Sequence, residues 1–232
     1  MLALSILIAS AVLPAIFLLR RVYRADRLEK EPRGLLRSLV LYGILATLIA
    51  GAAEELGALL LTLFLPTDTA LFRVLFYFVL VGGAEEGCKF FLLRRRTWNE
   101  PEFNCLFDGV VYAVFVSLGF ALWENIRYVF QYGLSTALLR AVTAVPGHAC
   151  FGVFMGVWYA QARRLALLGD GEGSRRALRL SLLVPLLLHG VYDYIATLAT
   201  ARSTLWFLLF VAGLFAASDR TLRRAAAKDA YL

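Results

Sequence analysis

The chain has 232 residues, 60% of them hydrophobic and only 18% charged, with a formal net charge of +7 and a mean hydropathy of +0.71. That balance excludes an ordinary soluble domain and leaves no large polar unit to be placed outside a membrane. The isoelectric point near 9.6 does not point to nucleic acid, because the arginines flank apolar segments instead of forming one basic face.

In chain order, the predicted spans are Leu2 to Leu19, Leu39 to Phe64, Ala70 to Leu93, Phe107 to Phe130, Ala141 to Ala160, Leu180 to Ala199 and Ser203 to Ala217. Several reach the ~20 residues that carry a helix across a hydrocarbon core of ~30 Å. In lipid each backbone group must be satisfied within its own segment, so apolar runs of this length read as helices. The expected fold is an all-α polytopic membrane protein of about seven transmembrane helices. It forms a single domain over 1–232, with its motif-bearing core at about 70–199.

Basic residues set the expected orientation. The segment Arg20 to Arg37 holds seven Lys/Arg, Arg94 to Arg96 three, Arg163 to Arg179 five and Arg220 to Lys228 four. All four segments fall on one side of a seven-span arrangement, which places the C-terminus in the cytoplasm and the N-terminus outside the cell membrane. The first run lacks a basic n-region and is followed by Arg20-Arg21, the flank of a retained anchor. Three scattered cysteines, Cys88, Cys105 and Cys150, suggest packing residues in place of a disulfide framework or thiolate cluster. Gly169 to Gly173 reads as a turn between the fifth and sixth spans.

Ionisable side chains within such spans are expensive and mark function. Glu85 and Glu86, with Lys89, lie in the third span; Glu124 and Asn125 in the fourth; His148 in the fifth; His189 and Asp193 in the sixth. Lys89 is four residues from Glu85 and three from Glu86, a spacing that lets it neutralise either. His189 and Asp193 are also four apart, so the carboxylate can orient the ring. At 1.5 Å per residue, Glu85 and His189 lie roughly 13 and 15 Å from their basic boundaries, near mid-membrane, whereas Glu124 and His148 fall toward the outer half. Glu54 and Glu55, roughly 24 Å beyond Ser38, read as interfacial.

The ordered strings resemble the PrsW family of intramembrane proteases, relatives of the group containing the CAAX-processing endopeptidases. They begin with Tyr23-x-x-Asp26-x-x-Glu29-Lys30-Glu31-Pro32 and Glu85-Glu86-x-x-Lys89. Phe107-Asp108-Gly109-Val110-Val111-Tyr112 follows, and then Gly119-Phe120-Ala121-x-x-Glu124-Asn125-x-x-Tyr128. His148-Ala149-x-Phe151-Gly152 and Leu188-His189-Gly190-x-Tyr192-Asp193 complete the set. Departures are small: Ala84 where some members carry a third acid, and Ala113 where Gly is common. The resemblance implies proteolysis of membrane-embedded or membrane-proximal segments, in some members of a single-span anti-sigma factor.

Peptide hydrolysis needs an activated water, a stabilised oxyanion and a proton for the leaving amine. The expected catalytic set is Glu85, Glu86, Glu124, Asn125, His148 and His189, supported by Lys89, Tyr128 and Asp193. Glu85 or Glu86 would act as base, His148 and Asn125 as oxyanion donors and His189 as proton shuttle. The rival arrangement holds zinc through His148, His189 and one of Asp193 or Glu124. The reading leans to metal-free chemistry, since no His-Glu-x-x-His string is present. Partners are then a membrane-protein or peptide substrate and the lipid bilayer, with no nucleic acid; nothing in the sequence sets an oligomeric state. Two other classes use the same residues: an ion or proton transporter, and a non-catalytic membrane scaffold.

Overall fold

The computed structural model describes residues 2–198 and 200–232. Nine α-helices follow one another among the described residues: α1 (Leu2–Ala25), α2 (Arg33–Phe64), α3 (Ala70–Val74), α4 (Gly82–Thr97), α5 (Asp108–Tyr132), α6 (Leu134–Val142), α7 (Ala144–Leu167), α8 (Gly171–Ala196) and α9 (Ala201–Ala227). A π-helical segment, Leu75–Val81, joins α3 to α4 without a break, so Ala70 to Thr97 is one continuous rod. With this rod the protein is an all-α bundle of seven membrane-length helical stretches. The predicted end of the sixth span at Ala199 lies outside the described residues.

Helix ends differ from the apolar windows in a consistent way. α1, α4, α7, α8 and α9 run on past the apolar stretch into arginine-rich turns such as Arg94–Arg96 and Arg163–Arg164. Hydropathy marks where lipid ends, whereas a helix continues until its backbone is capped. One element was not foreseen. A separate nine-residue helix, α6, lies almost wholly ahead of the expected fifth span, entered through Gly133 at φ 84° and carrying exposed Leu134, Leu138, Leu139 and Val142 beside buried Ala137.

Helix α5 is the axis of the bundle. Every residue from Asp108 to Ala121 is buried, and α7, α2 and α1 pack around it. Glycines allow these approaches: a Cβ on Gly119 would stand 2.3 Å from the Val40 carbonyl oxygen of α2, and one on Gly156 of α7 would stand 2.5 Å from that of Gly109. Lipid offers helices no hydrophobic reason to associate, so close backbone packing of this kind holds them together. Leucines along the outer faces of α2 and α9, among them Leu41, Leu48, Leu59, Leu63, Leu205 and Leu208, remain exposed for lipid.

At the arginine-rich end, the α1–α2 loop, the segment before α5 and the C-terminal tail form a polar knot. Asp26 and Glu31 are buried there, and burial pushes Asp26 up to about 6 and Glu31 up to about 9.

Candidate active site

Adjacent residues on a helix point about 100° apart, and Lys89, one turn beyond Glu85 and Glu86, reaches both. Its Nζ lies 3.1 Å from Glu85 Oε2 and 2.8 Å from Glu86 Oε1. The same ammonium donates to His148 Nδ1 at 3.1 Å and sits 3.8 Å from the centroid of the Phe120 ring. Glu86 and Lys89 are fully enclosed. The π-helical turn immediately before α4 is the kind of register shift that recurs at functional sites.

His189 of α8 completes the centre: its Nδ1 donates to Glu86 Oε1 at 2.9 Å and stands 3.9 Å from Glu85 Oε2. Phe151 stacks on this ring at 4.8 Å, and the two imidazoles stand edge to face 5.3 Å apart. Both histidines turn Nδ1 inward and Nε2 outward. His148 Nε2 meets Glu124 Oε2 at 2.9 Å, and His189 Nε2 lies 3.4 Å from Asp193 Oδ2. A carboxylate behind each ring fixes its tautomer and direction. Glu124 and His148, which helix rise alone places toward the outer half, thus join Glu85 and His189 in one site.

Asn125 is buried and committed at both ends. Its Nδ2 donates to the Ala11 carbonyl of α1 at 2.9 Å, and its Oδ1 accepts from Arg140 Nε at 3.1 Å. Arg140 Nη2 also donates to Glu124 Oε2 at 2.7 Å, and its guanidinium lies 4.0 Å from the Tyr128 ring centroid. A cavity of about 380 Å³ opens onto this assembly, lined by Glu85, Glu124, Tyr128, Arg140, His148, His189 and Asp193. Glu86, Lys89 and Asn125 lie behind its wall.

Two lining residues had been read differently. Glu54, placed at the interface by depth, lines the same cavity, while its neighbour Glu55 is exposed. Arg140, which falls outside the four basic segments and the expected site, is the residue that holds Glu124 and Asn125. Its one sequence signal is position: a lone arginine on a short amphipathic stretch beside Thr143. Arg140→Gln is expected to lower proteolysis by about 10- to 100-fold, the range for groups that orient site residues. Arg140→Lys should recover part of that loss in a reconstituted cleavage assay; full activity in Arg140→Gln would show that Glu124 and Asn125 keep their places unaided.

The donors also fit a divalent metal such as zinc. One atom each from Glu85, Glu86, His148 and His189 lies within 4.8 Å of the others, and the outer nitrogen of each ring already faces a carboxylate, as metal-bound imidazoles do. Asp193 and Glu124, the third ligands expected from sequence, stand behind the rings, and the Glu85–Glu86 pair stands beside them. Lys89 Nζ contacts three of the four donor groups, so its ammonium and an ion compete for one place.

A buried carboxylate and imidazole cluster facing a cavity inside a seven-span helical bundle brings together the groups that peptide hydrolysis within a membrane needs. The comparisons agree. Residues 31–217 match the profile of the PrsW family intramembrane metalloprotease. The chain is 32% identical over 219 residues to Protease PrsW of Geobacillus kaustophilus, covering 94% of this chain and 92% of that one. It is 33% identical over 192 residues to Protease PrsW of Bacillus subtilis, covering 82% and 83%. No solved structure matches. The chain belongs to the PrsW family and is a membrane-integral protease acting on membrane substrates.

Proposed function

We propose that the protein hydrolyses peptide bonds in or near the transmembrane segment of single-span membrane proteins, with Glu85 as the general base. The observation that carries this reading is the division of labour within the glutamate pair. Glu85 lines the cavity together with both histidines, whereas Glu86 is enclosed between Lys89 and His189. A water beside Glu85 would lose its proton to that carboxylate as it attacks the scissile carbonyl carbon. Tyr128 lines the same cavity and is the donor offered to the oxyanion, because Asn125 is committed to Ala11 and Arg140 to Asn125 and Glu124. As the C–N bond breaks, the leaving nitrogen takes a proton, which His189, bracketed by Glu86 and Asp193, is placed to relay.

A metal held by Glu85, Glu86, His148 and His189 would supply carbonyl polarisation and a more acidic bound water. Because Lys89 and His189 already stand against the two carboxylates, water activation by Glu85 is self-consistent without one. Proteolysis is therefore expected to survive exhaustive chelation with metal content verified by elemental analysis. Loss of cleavage that zinc restores would assign the cluster to the metal.

The family resemblance offers one substrate to test, a single-span anti-sigma factor. The N-out, C-in orientation rests on the four basic segments at one end of the bundle. The decisive assay is cleavage of a panel of single-span substrates by the reconstituted protein. Ion flux without cleavage, dependent on Glu85 and His189, would replace the protease mechanism by a transport one.

A further inference from the structure

The motif Tyr23-x-x-Asp26-x-x-Glu29-Lys30-Glu31-Pro32 takes no part in the intramembrane site, yet it lies in a closely enclosed polar region. Two other parts of the chain, the segment before α5 and the C-terminal tail, close over it. The C-terminal tail is fastened to the segment before α5 by Leu106 N on Ala230 O at 3.0 Å and Leu232 N on Asn104 O at 2.7 Å. Asp229 Oδ1 accepts from Phe107 N at 2.8 Å. Asp108 Oδ2 accepts from Asn104 N and Cys105 N at 3.0 and 2.6 Å, and Glu31 Oε2 accepts from Tyr112 Oη at 2.9 Å.

Negative charge is concentrated here. Asp229 and Glu29 bear on Asp26, and Asp108 and Asp26 on Glu31. Lys30 is the cation beside Asp26, but its ammonium faces backbone carbonyls, at 2.5 Å from Tyr23 O and in contact with Asp26 O. Asp26 is 1% exposed, and neither of its carboxylate oxygens has a hydrogen-bond partner; Asn104 Oδ1 and Asp229 Oδ2 are likewise unpartnered. Four buried acceptor oxygens without a hydrogen-bond partner, on side chains of the three segments that meet here, are costly unless something positive answers them.

We propose that this pocket binds a hard divalent cation, Ca²⁺ or Mg²⁺, through Asp26, Asn104 and Asp229, with Glu29 alongside. The free donors are all oxygens, the set that selects these ions over zinc or copper. Glu29 Oε1 already accepts from Asn104 Nδ2 at 3.4 Å, which puts it next to the proposed ligands. Among the described residues only the intramembrane cluster has its ligand atoms already within 4.8 Å of one another, so an ion here draws Asp26 and Asp229 inward. The ion then ties the first loop, the segment before α5 and the C-terminal tail into one unit, which gives the loop motif a structural purpose separate from catalysis.

The test is thermal unfolding of the full-length protein, purified in detergent, stripped with EDTA and titrated with CaCl₂ or MgCl₂ at constant ionic strength. Wild type and Glu86→Gln are both expected to rise by on the order of 5 °C at a hundredfold excess over Kd. The ion with the lower half-saturation is the one the pocket selects. Asp26→Asn/Asp229→Asn should lose the rise. No rise with either cation, an equal rise in the double variant, or a rise lost in Glu86→Gln would each overturn the proposal. Should the double variant not fold, Tb³⁺ bound to the Glu86→Gln protein supplies a second reading. Tyrosine-sensitised emission that Ca²⁺ or Mg²⁺ displaces supports the site, and its absence rejects it.

Discussion

Glu85→Gln is expected to lower cleavage of a single-span substrate by about 10³-fold while leaving the protein folded, the loss typical when a positioned general base is removed. The fold should survive because Lys89 keeps its 2.8 Å contact with Glu86 and His148 its contact with Glu124. Glu86→Gln should lose activity as well, but for a different reason. It takes a carboxylate from between Lys89 and His189, both buried, and leaves their charge inadequately matched, at a cost of about 3 kcal/mol. The pair of variants therefore separates the two glutamates: one inactive and stable, the other inactive and destabilised in a denaturant or thermal assay. Equal stability with cleavage lost only in Glu86→Gln would reverse the assignment of the base.

Gly119→Ala should destabilise the bundle by on the order of 3 kcal/mol although it adds a single methyl group. The new Cβ would lie 2.3 Å from the Val40 carbonyl oxygen and 2.9 Å from Val40 Cα, and backbone cannot step aside as a side chain can. α2 and α5 would have to part, and with them Thr47, whose Oγ1 donates to the Phe120 carbonyl at 3.2 Å. Gly213→Ala is the internal control: nothing lies within 4 Å of its Cβ, so the gain in helix propensity should leave it at or above wild-type stability. Matched unfolding curves for the two variants would show that the α2–α5 crossing is looser than the structure has it.

Much of the site was legible because burying charge in lipid is so costly that Glu85, Glu86, Lys89, His148 and His189 stand out from any apolar run. The pairing of His189 with Asp193 followed from helical spacing alone. Arg140 and Glu54 did not, because distance along a helix gives depth but not which way a side chain faces. Asn125 was legible as a buried polar residue and not as a committed one, since its partner on α1 is a backbone carbonyl, which leaves no trace in residue type. The π-helical segment and the separate start of α6 were equally hidden: Leu75–Val81 is as apolar as any α-helical turn. The seven spans were readable from hydropathy, their ends less so, because arginine-rich turns remain helical outside lipid.

The bond from Asn125 to the Ala11 carbonyl gives α1 an unusual kind of constraint. This helix lies before residue 31, where the family profile begins, and carries no ionisable residue before Arg20, so its apolar part has no charged side chain to offer the site. Yet what Asn125 reads is a main-chain oxygen at a set height and angle. Substitutions along the lipid-facing side of α1 should drift freely between species, whereas inserting or deleting one residue between Ala11 and Arg20 would swing that oxygen through about 100°. What α1 owes the site is therefore length and phase, not the chemistry of its side chains.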